Sequence, residues 1–101
     1  MLKITIIGNL TDTAVARTTE SGLEYVTFTV AVNKTTKDKT GAEDKTTVFV
    51  QCVKERSGVD QYLEKGKKVY AEGQLKVSQG RDGWGNPTPE IKARISEIQL
   101  L

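Results

Sequence analysis

The 101-residue chain contains no histidine and a single cysteine, Cys52. One cysteine forbids an internal disulfide. Without histidine, too few soft ligands remain for a zinc site, so neither a metal nor a cofactor is expected. No apolar run approaches the roughly 20 residues of a spanning helix. The N-terminal MLKITIIGNL passes straight into a strand pattern rather than that of a signal peptide, and a cytoplasmic setting is expected. Motifs of catalysis are missing too: there is no GxSxG, no P-loop and no glycine-rich phosphate turn. Glu43 and Asp44 are adjacent carboxylates, but they lie in a polar stretch beside Lys45. Cys52 falls on the core side of its strand, where a small buried hydrophobe is the ordinary outcome. An enzyme is therefore not expected. Charge imbalance is slight, at +2, which permits a nucleic-acid partner without demanding one.

What is present reads as one small β domain over residues 1–101. Leu2 to Ile7 alternates and then turns apolar, as a strand does, and Gly8-Asn9 breaks it. Residues 13–19 suit a second extended piece. In EYVTFTVAVN, residues 24–33, Val26, Phe28, Val30 and Val32 share one face, and a polar face of threonines and Asn33 lies opposite. Residues 34–45 are polar and predict a long mobile hairpin loop. TTVFVQCV, residues 46–53, returns as a strand with Val48, Val50 and Cys52 inward and Phe49 and Gln51 outward. A helix is expected from Ser57 to Lys65, opened by a Ser57/Asp60 capping box and closed by Gly66. Its inward residues are Val59, Tyr62 and Leu63.

The strand at residues 68–77 carries Gly73 on its core face, the mark of a tight bend. Residues 78–90 predict a second long loop. In the last strand, residues 91–101, the apolar phase shifts between Ile95 and Ile98, which predicts a bulge. Three strands, a helix and two strands give an all-β, five-stranded Greek-key OB barrel with one short helix between its third and fourth strands. An SH3-like barrel or a plain sandwich explains that single helix less well.

Such a barrel offers one face and two hairpins to an oligonucleotide. Sequence-tolerant binding of a single strand needs rings for bases and cations for phosphates. The candidate rings are Phe49, Trp84 between Gly83 and Gly85, and Tyr25. Each has a rival reading as a core, folded-back or subunit-contact residue. The candidate cations are Lys34, Lys37, Lys39 and Lys45 in the first loop, with Lys54, Arg56, Lys76 and Arg81 elsewhere, and the neutral Gln51 beside Phe49 is a further candidate contact. For any one of them a plain solvated charge is the rival. Lys65, Lys67 and Lys68 stay undecided between a solvated face and the DNA path.

IGNL at residues 7–10, FTVAV at 28–32, Thr46-Thr47 and above all YLEKGKKVYAEGQL at 62–75 make the chain resemble the bacterial single-stranded DNA-binding protein (SSB) family. The resemblance spans nearly the whole chain, and its style is similar to short members carried by mobile elements. It implies an OB fold, single-stranded DNA as ligand, and a homotetramer built as a dimer of dimers. In that likeness Phe49 matches a position that usually carries tryptophan, and Tyr70 and Glu72 match residues that help build the subunit interface. The chain departs from the pattern in lacking the first-loop aromatic and in carrying Trp84 later than usual. It also stops at ISEIQLL, where members usually continue into an acidic tail. A truncated chain and a short form that coats DNA without such a tail both fit. The rival function is an OB protein-interaction module akin to primosomal accessory proteins.

Overall fold

The computed structural model describes residues 2–101, apart from the side chain of Pro89. Its strands are β1 (Lys3–Leu10), β2 (Val15–Thr18), β3 (Glu24–Lys37), β4 (Glu43–Glu55), β5 (Lys68–Arg81) and β6 (Pro87–Leu100). They hydrogen-bond in the order β1-β5-β6-β4-β3-β2, and β1 also pairs with β3 through Asn9 and Leu10. That extra pairing closes β1, β3, β4, β6 and β5 into a ring. The β4–β6 contact is parallel and the other pairings are antiparallel. This is the expected five-stranded barrel. β2 continues along the edge of β3 that β1 has left.

Alternation fills the barrel. Val26, Phe28, Val30, Val50, Cys52, Val69, Ala71, Ala93 and Ile95 are all buried, joined by Ile6 and Leu10 from β1. Contrary to expectation, Gly8 does not end β1 but lies inside it, where the strand crosses from β5 to β3. A Cβ there would meet the Ala31 carbonyl oxygen and a Val30 methyl. Gly73 marks the second corner, where a Cβ would run into the Arg94 carbonyl. The register slips at that point, pairing Glu72 with Glu97 but Gly73 with Ile95. Ser96 is thus the extra residue of the bulge, and its hydroxyl donates to the Glu72 carbonyl at 3.3 Å.

The expected helix over 57–65 is only a 3-10 turn, Gly58–Tyr62. A helix this short gains too few backbone bonds to repay its nucleation, and Gly58 disfavours it further. The Asp60 carboxylate does accept the Ser57 N–H at 2.7 Å. Of the three apolar residues, only Leu63 is fully buried, plugging the barrel end, while Tyr62 is 55% exposed. Gly66 turns the chain at φ 85°, and its N–H donates to the Leu10 carbonyl.

Neither predicted long loop exists at that length. β3 and β4 stay paired to Lys37 opposite Glu43, and β5 and β6 to Arg81 opposite Pro87. Both arms project from the barrel, giving extents of 54 × 36 × 28 Å. Their tips share one design. In 38–42, DKTGA, and 82–86, DGWGN, the aspartate carboxylate accepts the two backbone N–H groups that flank a left-handed glycine, Gly41 or Gly85. The β2–β3 tip, TESGL at 19–23, uses the Thr19 hydroxyl and Gly22 in the same places. This is the three-residue hairpin loop whose glycine adopts positive φ.

Candidate nucleic-acid interface

Strand phase decides which side chains meet on the outer surface, because alternate residues point to opposite faces. Rows of register partners run across the barrel. One row is Val15, Thr27, Val53 and Arg94, from β2, β3, β4 and β6. The next is Thr29, Gln51, Lys92 and Lys76, ending on β5. A third pairs Ala31 with Phe49, whose ring is 58% exposed. Further out Asn33 faces Thr47, joined by a 3.0 Å side-chain hydrogen bond, then Thr35 faces Lys45 and Lys37 faces Glu43. Phe49, Gln51, Lys76, Lys45 and Lys37 therefore share a face.

Other candidates do not join them. Lys34 pairs with Thr46 on the opposite face of the β3–β4 arm, continuing the phase of Val32 and Val48. Arg81 continues the phase of Leu75 and Val77, opposite Lys76, and its guanidinium donates to the Gly85 carbonyl at 3.0 Å. Lys39 and Trp84 occupy the two hairpin tips, where Trp84 is 90% exposed. Tyr25 is the exception: it shares the phase of Thr27 and Thr29 and lies on this face in a row with Arg17 and Glu55, but at the far end of β3 and half-buried. Arg56 sits beside the 3-10 turn, 3.8 Å from Asp60.

Lys54 is a correction. It is buried, and its ammonium donates to the Glu55 carbonyl, the Ser57 hydroxyl and the Asp60 carboxylate at 2.7, 2.7 and 2.6 Å. A cation so committed ties β4 to the 3-10 turn and leaves the phosphate-binding set. Three cations that residue-type reasoning misses stand on the exposed face: Arg17, Lys92 and Arg94. A signal for two of them is present, since Lys92 and Arg94 alternate with the buried Ala93 and Ile95. Lys92 is 3.4 Å from the Glu90 carboxylate and Lys37 is 3.9 Å from that of Glu43, so part of the positive charge is already neutralised.

A groove of about 430 Å³ opens on this face between the 11–14 bend, β2, β3, β4 and Lys92 of β6. The bend is pinned to β3 by the Thr11 N–H, which donates to the Thr29 carbonyl at 2.9 Å. Cys52 lies beneath with its thiol pushed up to about 12 by burial, so it offers no thiolate. Among the described residues no cluster of His, Cys, Asp and Glu is fit to hold a metal. No helix among them is long and apolar enough to cross a membrane.

On the barrel's other flank, Tyr70 donates to Glu72 at 2.9 Å and Lys3 pairs with Glu72 at 3.0 Å. The Lys3 hydrogen bond, then the Tyr70 one, holds the Glu72 carboxyl below its ordinary value. Beside them Ile7, the partner of Tyr70, is 51% exposed.

Comparison with known proteins places this geometry. The family described as the single-strand binding protein family matches residues 1–101. Single-stranded DNA-binding protein 1 of Staphylococcus aureus is 34% identical over 102 residues, 98% of this chain and 60% of that protein. A protein of the same description from Xylella fastidiosa is 36% identical over 105 residues, covering 98% of this chain and 76% of the relative. The chain thus spans under two thirds of the length of several curated relatives that it matches. Among solved structures, the small single-stranded DNA-binding protein of Streptomyces coelicolor superposes with a TM-score of 0.80 at 24% identity, covering 99% of this chain and 94% of that one. The Plasmodium falciparum SSB complex with ssDNA gives 0.80 at 23% identity, over 100% and 95% of the two chains. These structural likenesses support the OB barrel.

Proposed function

The chain belongs to the single-strand binding protein family, and from that premise we propose that it binds single-stranded DNA with little sequence preference. The observation that carries this is the outward Phe49 ring, set beside the row of Gln51, Lys92 and Lys76 on one face and extended by Lys37 and Lys45 along the β3–β4 arm. Bases stack on the ring and on Trp84, and the cations track phosphates. The protein would coat and protect the strand during replication, recombination or repair, including that of a mobile element, in the cytoplasm and without catalysis. Residues 1–101 act as a single OB domain in this reading.

Assembly is proposed as a homotetramer, a dimer of dimers. Its supports are the Lys3–Glu72–Tyr70 cluster beside exposed Ile7, and the edge of β1 left without a partner strand before Asn9 among the described residues.

Labelled oligo-dT titrated at several salt concentrations, with mass measured in solution, tests both statements. Affinity falls with salt at a log–log slope of about −0.7 per phosphate neutralised. Phe49→Ala and Trp84→Ala each cost about 1–3 kcal/mol of binding. Absence of Trp84 quenching at low salt refutes the DNA reading, and a monomeric mass refutes the assembly.

A further inference from the structure

The row Val15–Thr27–Val53 puts two exposed valines on the outer face, two rows from Phe49. Val15 is 50% exposed and Val53 is 41% exposed, on neighbouring strands either side of Thr27. Strands lie about 4.8 Å apart, so the row spans roughly 10 Å, enough for a flat heterocycle to lie on it. It forms part of the lining of the groove described above, whose volume of about 430 Å³ lies within the range of small-ligand sites. Cations stand on both sides. Arg17 is anchored through its Nε to the Thr27 hydroxyl at 3.4 Å, and its terminal nitrogens have no hydrogen-bond partner among the described residues; Lys92 lies across the groove, its ammonium 3.4 Å from the Glu90 carboxylate.

The one carboxylate in the lining is Asp12. Its Oδ1 accepts the Thr13 N–H at 2.8 Å, and its second oxygen has no hydrogen-bond partner among the described residues. A carboxylate at that point repels a phosphate and calls for a donor. The outward amide of Gln51 supplies both a donor and an acceptor nearby.

We infer that this groove seats one nucleotide of the bound strand, its base lying on Val15, Thr27 and Val53, its phosphate on the terminal nitrogens of Arg17, and its exocyclic amine donating to Asp12. The inference rests on the single-strand reading above and adds a base preference to it. Cytosine presents its N4 amine freely to a carboxylate, whereas thymine presents N3–H only between two carbonyl oxygens that the carboxylate repels. The seat therefore favours cytosine over thymine at one position of a strand otherwise held without regard to sequence.

The test combines two readouts on the full chain. Methyl NMR follows Val15 and Val53 during titration with oligo-dC, while Phe49 ring signals report the rest of the face. Binding of oligo-dC and oligo-dT of equal length is then compared for the wild type and Asp12→Ser, in which the serine hydroxyl still accepts the Thr13 N–H. Shifted Val15 and Val53 methyls are expected, with a fall of about two- to tenfold in the dC/dT affinity ratio of the variant. Removing a negative charge raises both affinities alike, so the ratio isolates the amine contact. If Phe49 signals move while the two valines stay still, or if the ratio is unchanged by Asp12→Ser, the seat is refuted and the DNA reading stands. If no signal moves with either oligonucleotide, both fall.

Discussion

Lys54→Ala separates a structural lysine from a phosphate-binding one. In the native chain the side chains of Lys54 and Asp60 are 9% and 8% exposed and meet at 2.6 Å. Truncation removes the three hydrogen bonds of the ammonium and leaves the Asp60 carboxylate with the Ser57 N–H and with Arg56, half-exposed at 3.8 Å. An exposed pair at that distance offsets little. Stranding one member of a buried pair costs about 3–5 kcal/mol, a large share of the roughly 5–15 kcal/mol total of a domain this size. With a urea slope of about 1–3 kcal/mol per molar, the midpoint drops by at least ~1 M. Far-UV circular dichroism at fixed protein concentration is the assay, because Trp84 at 90% exposure reports little on folding. The double variant Lys54→Met, Asp60→Leu should recover most of the loss, since replacing both partners leaves no buried charge unpaired. A single variant that keeps the wild-type midpoint but loses oligo-dT affinity, with a shallower salt slope, would refute the reasoning and return Lys54 to the DNA path.

Three other outcomes follow from the geometry. Gly73→Ala drives a methyl into the Arg94 backbone carbonyl and should cost about 1–3 kcal/mol or more, whereas Gly80→Ala meets only the flexible Glu90 side chain and should lower the thermal midpoint far less; equal losses would contradict the barrel-corner account. Glu90→Gln frees Lys92 from its 3.4 Å partner, so oligo-dT affinity should rise with a steeper salt slope, and unchanged binding would take Lys92 off the path. The Asp38 carboxyl is held below its ordinary 3.8 by the Thr40 hydroxyl first, then by the Thr40, Ala42 and Gly41 backbone N–H groups. Its stabilisation of the hairpin tip is complete above that value and is lost as pH falls through the lower native one. Thr40 and Ala42 amide shifts should titrate below 3.8, and a midpoint above it would show that these bonds do not favour the charged form.

Sequence legibility follows wetness. Residues 24–33 alternate between a buried and a polar face, so the strand can be read directly, and the Ile95-to-Ile98 phase shift exposes the bulge at Ser96. The outer halves of β3 to β6 have solvent on both faces, so hydrophobic alternation vanishes there although the pairing persists. Their readable signal is the turn chemistry, DKTG and DGWG, where an aspartate three residues before a left-handed glycine fixes a short tip. The helix is overread because an apolar pattern over nine residues cannot distinguish a helix from one 3-10 turn followed by a plug residue.

For the candidate site, residue type misleads where strand phase does not. On β4 the inward series Val48, Val50, Cys52 continues to Lys54, so the same alternation that aims Phe49 and Gln51 outward already sends Lys54 toward the interior. On β3 the inward series Val26, Phe28, Val30 and Val32 continues to Lys34, while Lys37 lies on the other face. On β6, Lys92 and Arg94 are turned outward by the burial of Ala93 and Ile95 between and beside them. A lysine in an all-β chain is thus placed first by its parity in the strand. Its charge then decides what it does there: pairing with Asp60 in a buried joint, or lining an open face where a phosphate can reach it.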